Sequence, residues 1–195
     1  MKSPDIKICR ARLEDAEVIA TAVAMAIGDE KALYDYCGED YLAILTEIAS
    51  TEGTQYSYTN AFIAMVNAEV AGVVLGYDGA CLEPLRAGTF DIIHRRIGRT
   101  PTIPNETEAG EFYLDSIAVL PQYRGQGVGR ALLNAIAEDA FVQGHERVGL
   151  IVDFGNPQAE KLYTAVGFSR VGTRLLFGHQ MWHLQKHCPS KSDNR

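Results

Sequence analysis

No apolar run in this 195-residue chain approaches the roughly 20 residues that a bilayer-spanning helix needs. The N-terminus is charged and carries no apolar stretch of the secretory-signal kind. Positive charge is scarce: 18 Lys and Arg stand against 25 Asp and Glu, a net charge of −7, which argues against nucleic acid as a partner. The four cysteines, Cys9, Cys37, Cys81 and Cys188, are widely spaced and form no C-x-x-C pair, so neither a zinc site nor a disulfide framework is indicated. A reducing cytoplasm, no membrane and no nucleic acid are the resulting expectations. There is no internal repeat and no low-complexity region. The remaining composition, 47% hydrophobic and 22% charged, is that of an ordinary globular protein long enough for a substantial core.

Along the chain, Ile6 to Arg10 reads as a short first strand. A helix follows from about Leu13, with acids in its first turn, apolar residues at Ala16, Ile19, Ala20, Val23 and Ile27, and Gly28 to end it. A second helix is expected from about Asp40 to Ser50. Ala61 to Val66 and Val70 to Tyr77 read as two strands of a hairpin. Residues 79–109 stand apart. Leu82 to Ile97 can be helical, and Arg99 to Thr107 reads as a loop, long enough to suggest a functional segment such as a substrate lid. Phe168 to Val171 and Leu175 to Leu184 read as closing strands, and residues 191–195 as a disordered tail.

The most informative stretch is Gln122 to Arg130. An apolar, strand-like run from Phe112 to Leu120 leads into it, and an amphipathic helical run from Ala131 to Phe141 leads out. Gly125, Gly127 and Gly129 allow a tight turn and close approach of backbone to a ligand. Such a turn opens onto a helix N-terminus, where free N–H groups favour an anion, and Arg124 and Arg130 add charge. The unit suits a phosphate, and above all a pyrophosphate. The spacing is not the G-x-G-x-x-G of dinucleotide folds, and no Lys-Ser or Lys-Thr follows as in a P-loop.

What the spacing does fit is Arg-x-x-Gly-x-Gly, at Arg124, Gly127 and Gly129, which resembles the pyrophosphate loop of the Gcn5-related N-acetyltransferase (GNAT) superfamily. Tyr113 to Val119 is similar to that family's central strand. Gly149 to Val152, Asn156 to Tyr163 and Val166 to Phe168 follow in the family's order. The resemblance is specific from Glu111 to Phe168, diffuse from Ile6 to Gly76, and does not reach 79–109. It implies an α/β GNAT fold in one domain over residues 1–190: a mixed, mostly antiparallel sheet flanked by helices, with splayed central strands that bind an acyl-CoA.

The implied activity is transfer of the acetyl group of acetyl-CoA directly to a primary amine of a small molecule or peptide. By the resemblance, backbone groups of Gly125, Gln126, Gly127, Val128, Gly129 and Arg130, with the side chains of Arg124 and Arg130, hold the pyrophosphate. Ile117, Ala118 and Val119 pair with the pantetheine arm, and the Val119 N–H polarises the thioester carbonyl. Asn156 bonds the pantetheine amide, although with Pro157 after it the same residue is also a plain helix N-cap. Tyr163 matches the family's acid, and a phenol of pKa about 10 suits a thiolate leaving group; otherwise it is a core tyrosine. Glu111, Tyr113 and Asp115 share one face of a strand. Asp115 is the first candidate for the base and Glu111 the second, either through water, against ordinary structural roles for both.

No metal is expected. His179, His183 and His187 recur every four residues, but on a strand, with no further ligand nearby. His94 to Arg99 reads as a solvated basic face, with the CoA 3′-phosphate or an acidic substrate as a looser possibility. Asp29, Glu30, Asp35, Glu39, Asp40, Glu47 and Glu52, interleaved with tyrosines, would suit a cationic acceptor or are simply a solvated face. Two other readings stay open: a non-catalytic acyl-CoA sensor, and an interaction module on the same fold. Whether the chain pairs as a homodimer is also left open.

Overall fold

The computed structural model describes residues 5–176 and 178–189. Seven strands form one sheet in the order β1-β2-β3-β4-β5-β7-β6. They are β1 (Ile6–Arg10), β2 (Ala61–Val66), β3 (Glu69–Asp78), β4 (Phe112–Val119), β5 (Arg147–Asp153), β6 (Ser169–Leu176) and β7 (His179–His187). All neighbours run antiparallel except β4 and β5. Six helices flank the sheet: α1 (Ala16–Ile27), α2 (Glu30–Cys37), α3 (Tyr41–Ser50), α4 (Leu82–Ile97), α5 (Val128–Val142) and α6 (Pro157–Ala165). No helix among the described residues is long and apolar enough to cross a membrane.

Two cores lie on opposite faces of the sheet. One joins α1, α3 and α4 to β2 and β3 through Ile19, Val23, Ile44, Leu45, Ile48, Ile63, Leu75 and Ile93. The other joins α5 and α6 to the sheet through Leu132, Leu133, Ile136, Leu114, Val148, Leu150 and Phe168. Burial of this kind contributes about 25 cal/mol per Å² of apolar surface and sets the layer order.

Most elements lie where the pattern places them. The β2–β3 hairpin turns at Asn67 and Ala68, both with positive φ, as a two-residue primed turn requires. Two expectations need correction. Residues 30–37 were read as a connection between two helices, but they form α2. Its N-cap Asp29 accepts from the Ala32 N–H at 2.7 Å, and its apolar face is only Leu33, Tyr36 and Cys37, too short to show a period. Leu175 to Leu184 is not one strand. The chain reverses between Leu176 and His179, with Gly178 at φ 78°, and β6 and β7 pair as a hairpin. The polar tail expected at 191–195 lies outside the described residues.

Segment 79–109 is built into the body. Ile92 and Ile93 of α4 enter the first core. A Cβ on Gly79 would lie 2.2 Å from the Glu108 carbonyl oxygen, and one on Gly88 2.4 Å from that of Gly53, so the backbones meet closely at both places. Arg86 of α4 reaches the following loop, where it ion-pairs with Glu106; both side chains are buried. It also donates to Asn105 Oδ1 and to the carbonyls of Ile103 and Pro104. These ties fasten the segment to the body.

Candidate active site

β4 and β5 are paired only at Phe112↔Val148 and Tyr113↔Gly149. Beyond that point the two parallel strands diverge and the sheet is split. The direction of the free groups follows from the ladder on the other side. The Leu120 N–H donates to the Ala71 carbonyl at 2.9 Å, continuing the β3–β4 register. With the antiparallel period of two, the backbone groups of Leu120, Ala118 and Ser116 therefore face β3. Those of Ile117 and Val119 face the split, and Ala118 turns its side chain into the α1 core.

A bulge precedes this edge. Leu75 pairs with Ser116 but Gly76 pairs with Leu114, leaving Asp115 as the extra residue in β4. The pleat changes phase there. Phe112 and Leu114 face the α5 core, and so do Ile117 and Val119. Gly76 is required opposite: its Cβ would lie 2.5 Å from Phe112 Cε1 and 2.8 Å from the Tyr113 carbonyl.

Beside the split, the glycine loop opens α5. Gly125 and Gly127 hold φ of 74° and 89°, and Gly127 is the N-cap with no side-chain cap. The first intrahelical bond is Ala131 N–H to the Gly127 carbonyl. The amides of Gly127, Val128, Gly129 and Arg130 are thus the unpaired donors of the first turn. Val128 is buried and fixes the helix start, whereas Gly125, Gln126 and Arg130 are exposed. Gly129 packs so closely that a Cβ would meet Leu162 Cδ2 at 3.1 Å. Arg124 donates through Nε to the Val119 carbonyl at 3.1 Å, tying the loop to the end of β4. Gln126 bonds back to the Gln122 carbonyl.

On the α6 side, Asn156 is the N-cap: its Oδ1 accepts from the Ala159 N–H at 3.1 Å, ahead of Pro157. Its amide N–H groups have no partner among the described residues. Tyr163, one face along the same helix, is buried, and its hydroxyl likewise has no partner there. Burial pushes this phenol up to about 12, so it stays protonated. It lies close enough to Tyr113 that its ionisation would act on that residue.

On the opposite face, Asp115 accepts from Tyr77 Oη and from Ser116 Oγ, each at 2.9 Å. Burial raises its pKa, and these two donors with Arg86 counter only part of that. Tyr113 is pushed well above the usual phenol range by burial, then by Asp115, Glu106 and Glu111 nearby. It is no base at neutral pH. Glu111 is differently placed. Burial acts to raise it, but hydrogen bonds from His183, Gln185 and Thr107 together hold it below the usual carboxylate range. Its carboxylate lies on Gly149, where a Cβ would come within 2.0 Å of Oε2. Its three donors, Thr107 from the preceding loop and His183 and Gln185 from β7, fasten the start of β4 across β5 to β7.

Several of the acidic residues expected to wall an acceptor site are engaged locally. Asp35 pairs with Lys31, Glu47 with Arg95 and Arg96, and Glu52 accepts from the Tyr58 hydroxyl. The basic stretch after His94 is accounted for by the same contacts, since Arg99 also donates to the Tyr34 carbonyl at 2.9 Å. His179 bonds Asp153 and His183 bonds Glu111. No group of three or more His, Cys, Asp or Glu is placed for a metal ion among the described residues. What sequence reasoning missed is Glu106, with Arg86, Tyr77 and Gln55 around it. No motif or period marks these residues, and Glu106 sits in a stretch that reads only as loop.

The fold is that of solved acetyltransferases. One acetyltransferase of known structure superposes with a TM-score of 0.80 at 31% identity, covering 94% of this chain and 100% of its own. An N-acetyltransferase from Staphylococcus aureus Mu50 gives 0.79 at 29% identity over 92% of this chain and 99% of its own. The sequence model of the Acetyltransferase (GNAT) family matches residues 30–168, and the chain belongs to this family. N-alpha-acetyltransferase RimI of Mycobacterium tuberculosis is 35% identical over 109 residues, 56% of this chain and 54% of that protein. Mycothiol acetyltransferase of Paenarthrobacter aurescens is 33% identical over 117 residues, 60% of this chain and 30% of that protein. The chain spans about half or less of the length of these curated relatives.

Proposed function

We propose that this chain moves the acetyl group of acetyl-CoA directly to a primary amine of a small molecule or peptide, in the cytoplasm. One observation carries the reading: the β4–β5 split exposes the backbone of Ile117 and Val119 between a helix N-terminus of unpaired amides and a buried, unpartnered phenol. The residues fit the co-substrate. A pyrophosphate belongs at the amides of Gly127 to Arg130, with the exposed ends of Arg124 and Arg130 beside it. An extended amide arm belongs along Ile117 and Val119, as an added strand. Asn156 has amide hydrogens to offer that arm while its oxygen caps α6. The compartment rests on four free thiols.

Two proton steps complete the chemistry. The Val119 N–H polarises the thioester carbonyl from the split. Tyr163, kept protonated by burial, gives its proton to the departing sulfur. Asp115, with a raised pKa and neutral hydrogen-bond donors, takes the proton of the attacking amine. Glu111 falls behind Asp115, because three donors already claim its carboxylate. The RimI relative is itself an N-alpha-acetyltransferase, which is in keeping with an amine acceptor.

The test is CoA release from acetyl-CoA over polyamines, aminoglycosides, amino acids, lysine peptides and free peptide N-termini. Turnover of one class, lost in Tyr163→Phe, supports the reading. No turnover with any of them, while acetyl-CoA still stabilises the protein, replaces it with the sensor reading.

A further inference from the structure

Glu106 belongs to none of the parts assigned so far, yet it is 8% exposed and fully bonded. Its Oε2 pairs with Arg86, and its Oε1 accepts from Gln55 Nε2 at 3.1 Å and from Tyr77 Oη at 3.5 Å. The same Tyr77 hydroxyl lies 2.9 Å from Asp115 Oδ2. One phenol therefore bridges two buried carboxylates, and its single proton can serve only one of them at a time.

The charge balance of the cluster is uneven. The titratable groups facing it are Tyr77 from β3, Tyr113 and Glu111 from β4 and its start, Arg86 from α4, Tyr36 from α2 and Tyr56 from the connection before β2. The tyrosines are all held neutral by burial, and Glu111 is engaged with His183. Among the described residues Arg86 is thus the one cation acting on the two carboxylates. With both ionised the cluster carries one uncompensated negative charge, and one added proton makes it neutral.

We propose that Glu106 is a positioning residue that sets the proton occupancy of Asp115 through Tyr77, so that the proton leaving the acceptor amine enters an ionised carboxylate pair, which then holds that one proton in common. The inference rests on Asp115 as the base. In the step, the N–H bond of the ammonium breaks, its electron pair stays on nitrogen, and an O–H bond forms on Asp115 Oδ2. Tyr77 then turns its hydroxyl proton toward Glu106. The net charge on the pair goes from −2 to −1 and nothing else is consumed. Consistent with this, burial and Asp115 lift Glu106 to about 7 despite Arg86.

The test is a carboxyl-carbon NMR titration of the free protein labelled at Asp and Glu, with the pH profile of kcat/KM beside it. The wild type is expected to show an interacting pair with a midpoint near 7. Glu106→Gln removes the neighbouring negative charge, and the Asp115 midpoint and the acid limb of kcat/KM move down by about a unit or more. Tyr77→Phe, which leaves the Arg86–Glu106 pair intact, removes a donor to the Asp115 carboxylate and moves both up. A purely structural role would lower the rate at every pH and leave the midpoint in place. An Asp115 midpoint unmoved in either folded variant overturns the proposal. The titration needs no acceptor, so a failure of turnover removes the enzyme reading by a separate result.

Discussion

Asp115 and Tyr163 approach the split from opposite faces of the sheet, and their surroundings fit them for opposite proton traffic. Tyr163→Phe deletes one oxygen from a group with no other partner. It is expected to lower kcat by about 10²- to 10⁴-fold while the stabilisation by acetyl-CoA persists. Asp115→Asn is expected to flatten the acid limb of kcat/KM, and an unchanged pH–rate profile would remove Asp115 as the base. Glu106 predicts a stability effect as well. Its folded pKa of about 7 exceeds the ordinary 4.5, so between those values the native state holds a proton that the unfolded chain has released. Stability therefore falls as pH rises through that window, and urea titrations of Glu106→Gln should show a shallower slope. The places of Asp115 and Tyr163 were legible because both stand at fixed distances from the glycine loop. Glu106 and Arg86 were not, because their pairing joins a helix to an irregular segment 20 residues on and leaves no period to read.

At the scale of elements, the split depends on how tightly β4 and β5 are joined where they do pair. Glu111 lies across Gly149 and is held by Thr107, His183 and Gln185. Gly149→Ala forces that carboxylate aside and is expected to cost about 1–3 kcal/mol in denaturant unfolding, as overpacking does. A variant as stable as the wild type would show that the contact relaxes freely. Long periodic elements such as α1, α4 and α5 could be read from their apolar spacing. The short α2 could not, since its 8 residues carry only Leu33, Tyr36 and Cys37 on the apolar face. The β6–β7 reversal was hidden because residues on both sides of Gly178 have strand character, and only pairing through β5 fixes where the turn falls.

For the molecule as a whole, ligand binding and folding are linked. Acetyl-CoA at 100 times its Kd should stabilise the protein by about 2.7 kcal/mol and raise Tm by several degrees. No shift would remove the binding reading altogether. Segment 79–109 is fastened in part by the buried Arg86–Glu106 pair, and Arg86→Met, which strands a carboxylate in the interior, is expected to cost about 3–5 kcal/mol, less whatever Glu106 recovers by taking a proton. Both effects can be read from thermal and urea unfolding of the intact chain. The bulge at Asp115 reaches furthest. Because it shifts the pleat by one residue, β4 is written in two frames, an even one up to Leu114 and an odd one from Ile117. Deleting Asp115 would mend the pairing with β3 and put both halves of the strand in one frame, with Ile117 and Val119 still on the α5 face and Ala118 still opposite. The bulge therefore adds a carboxylate at the edge of the split without changing which side chains reach either core.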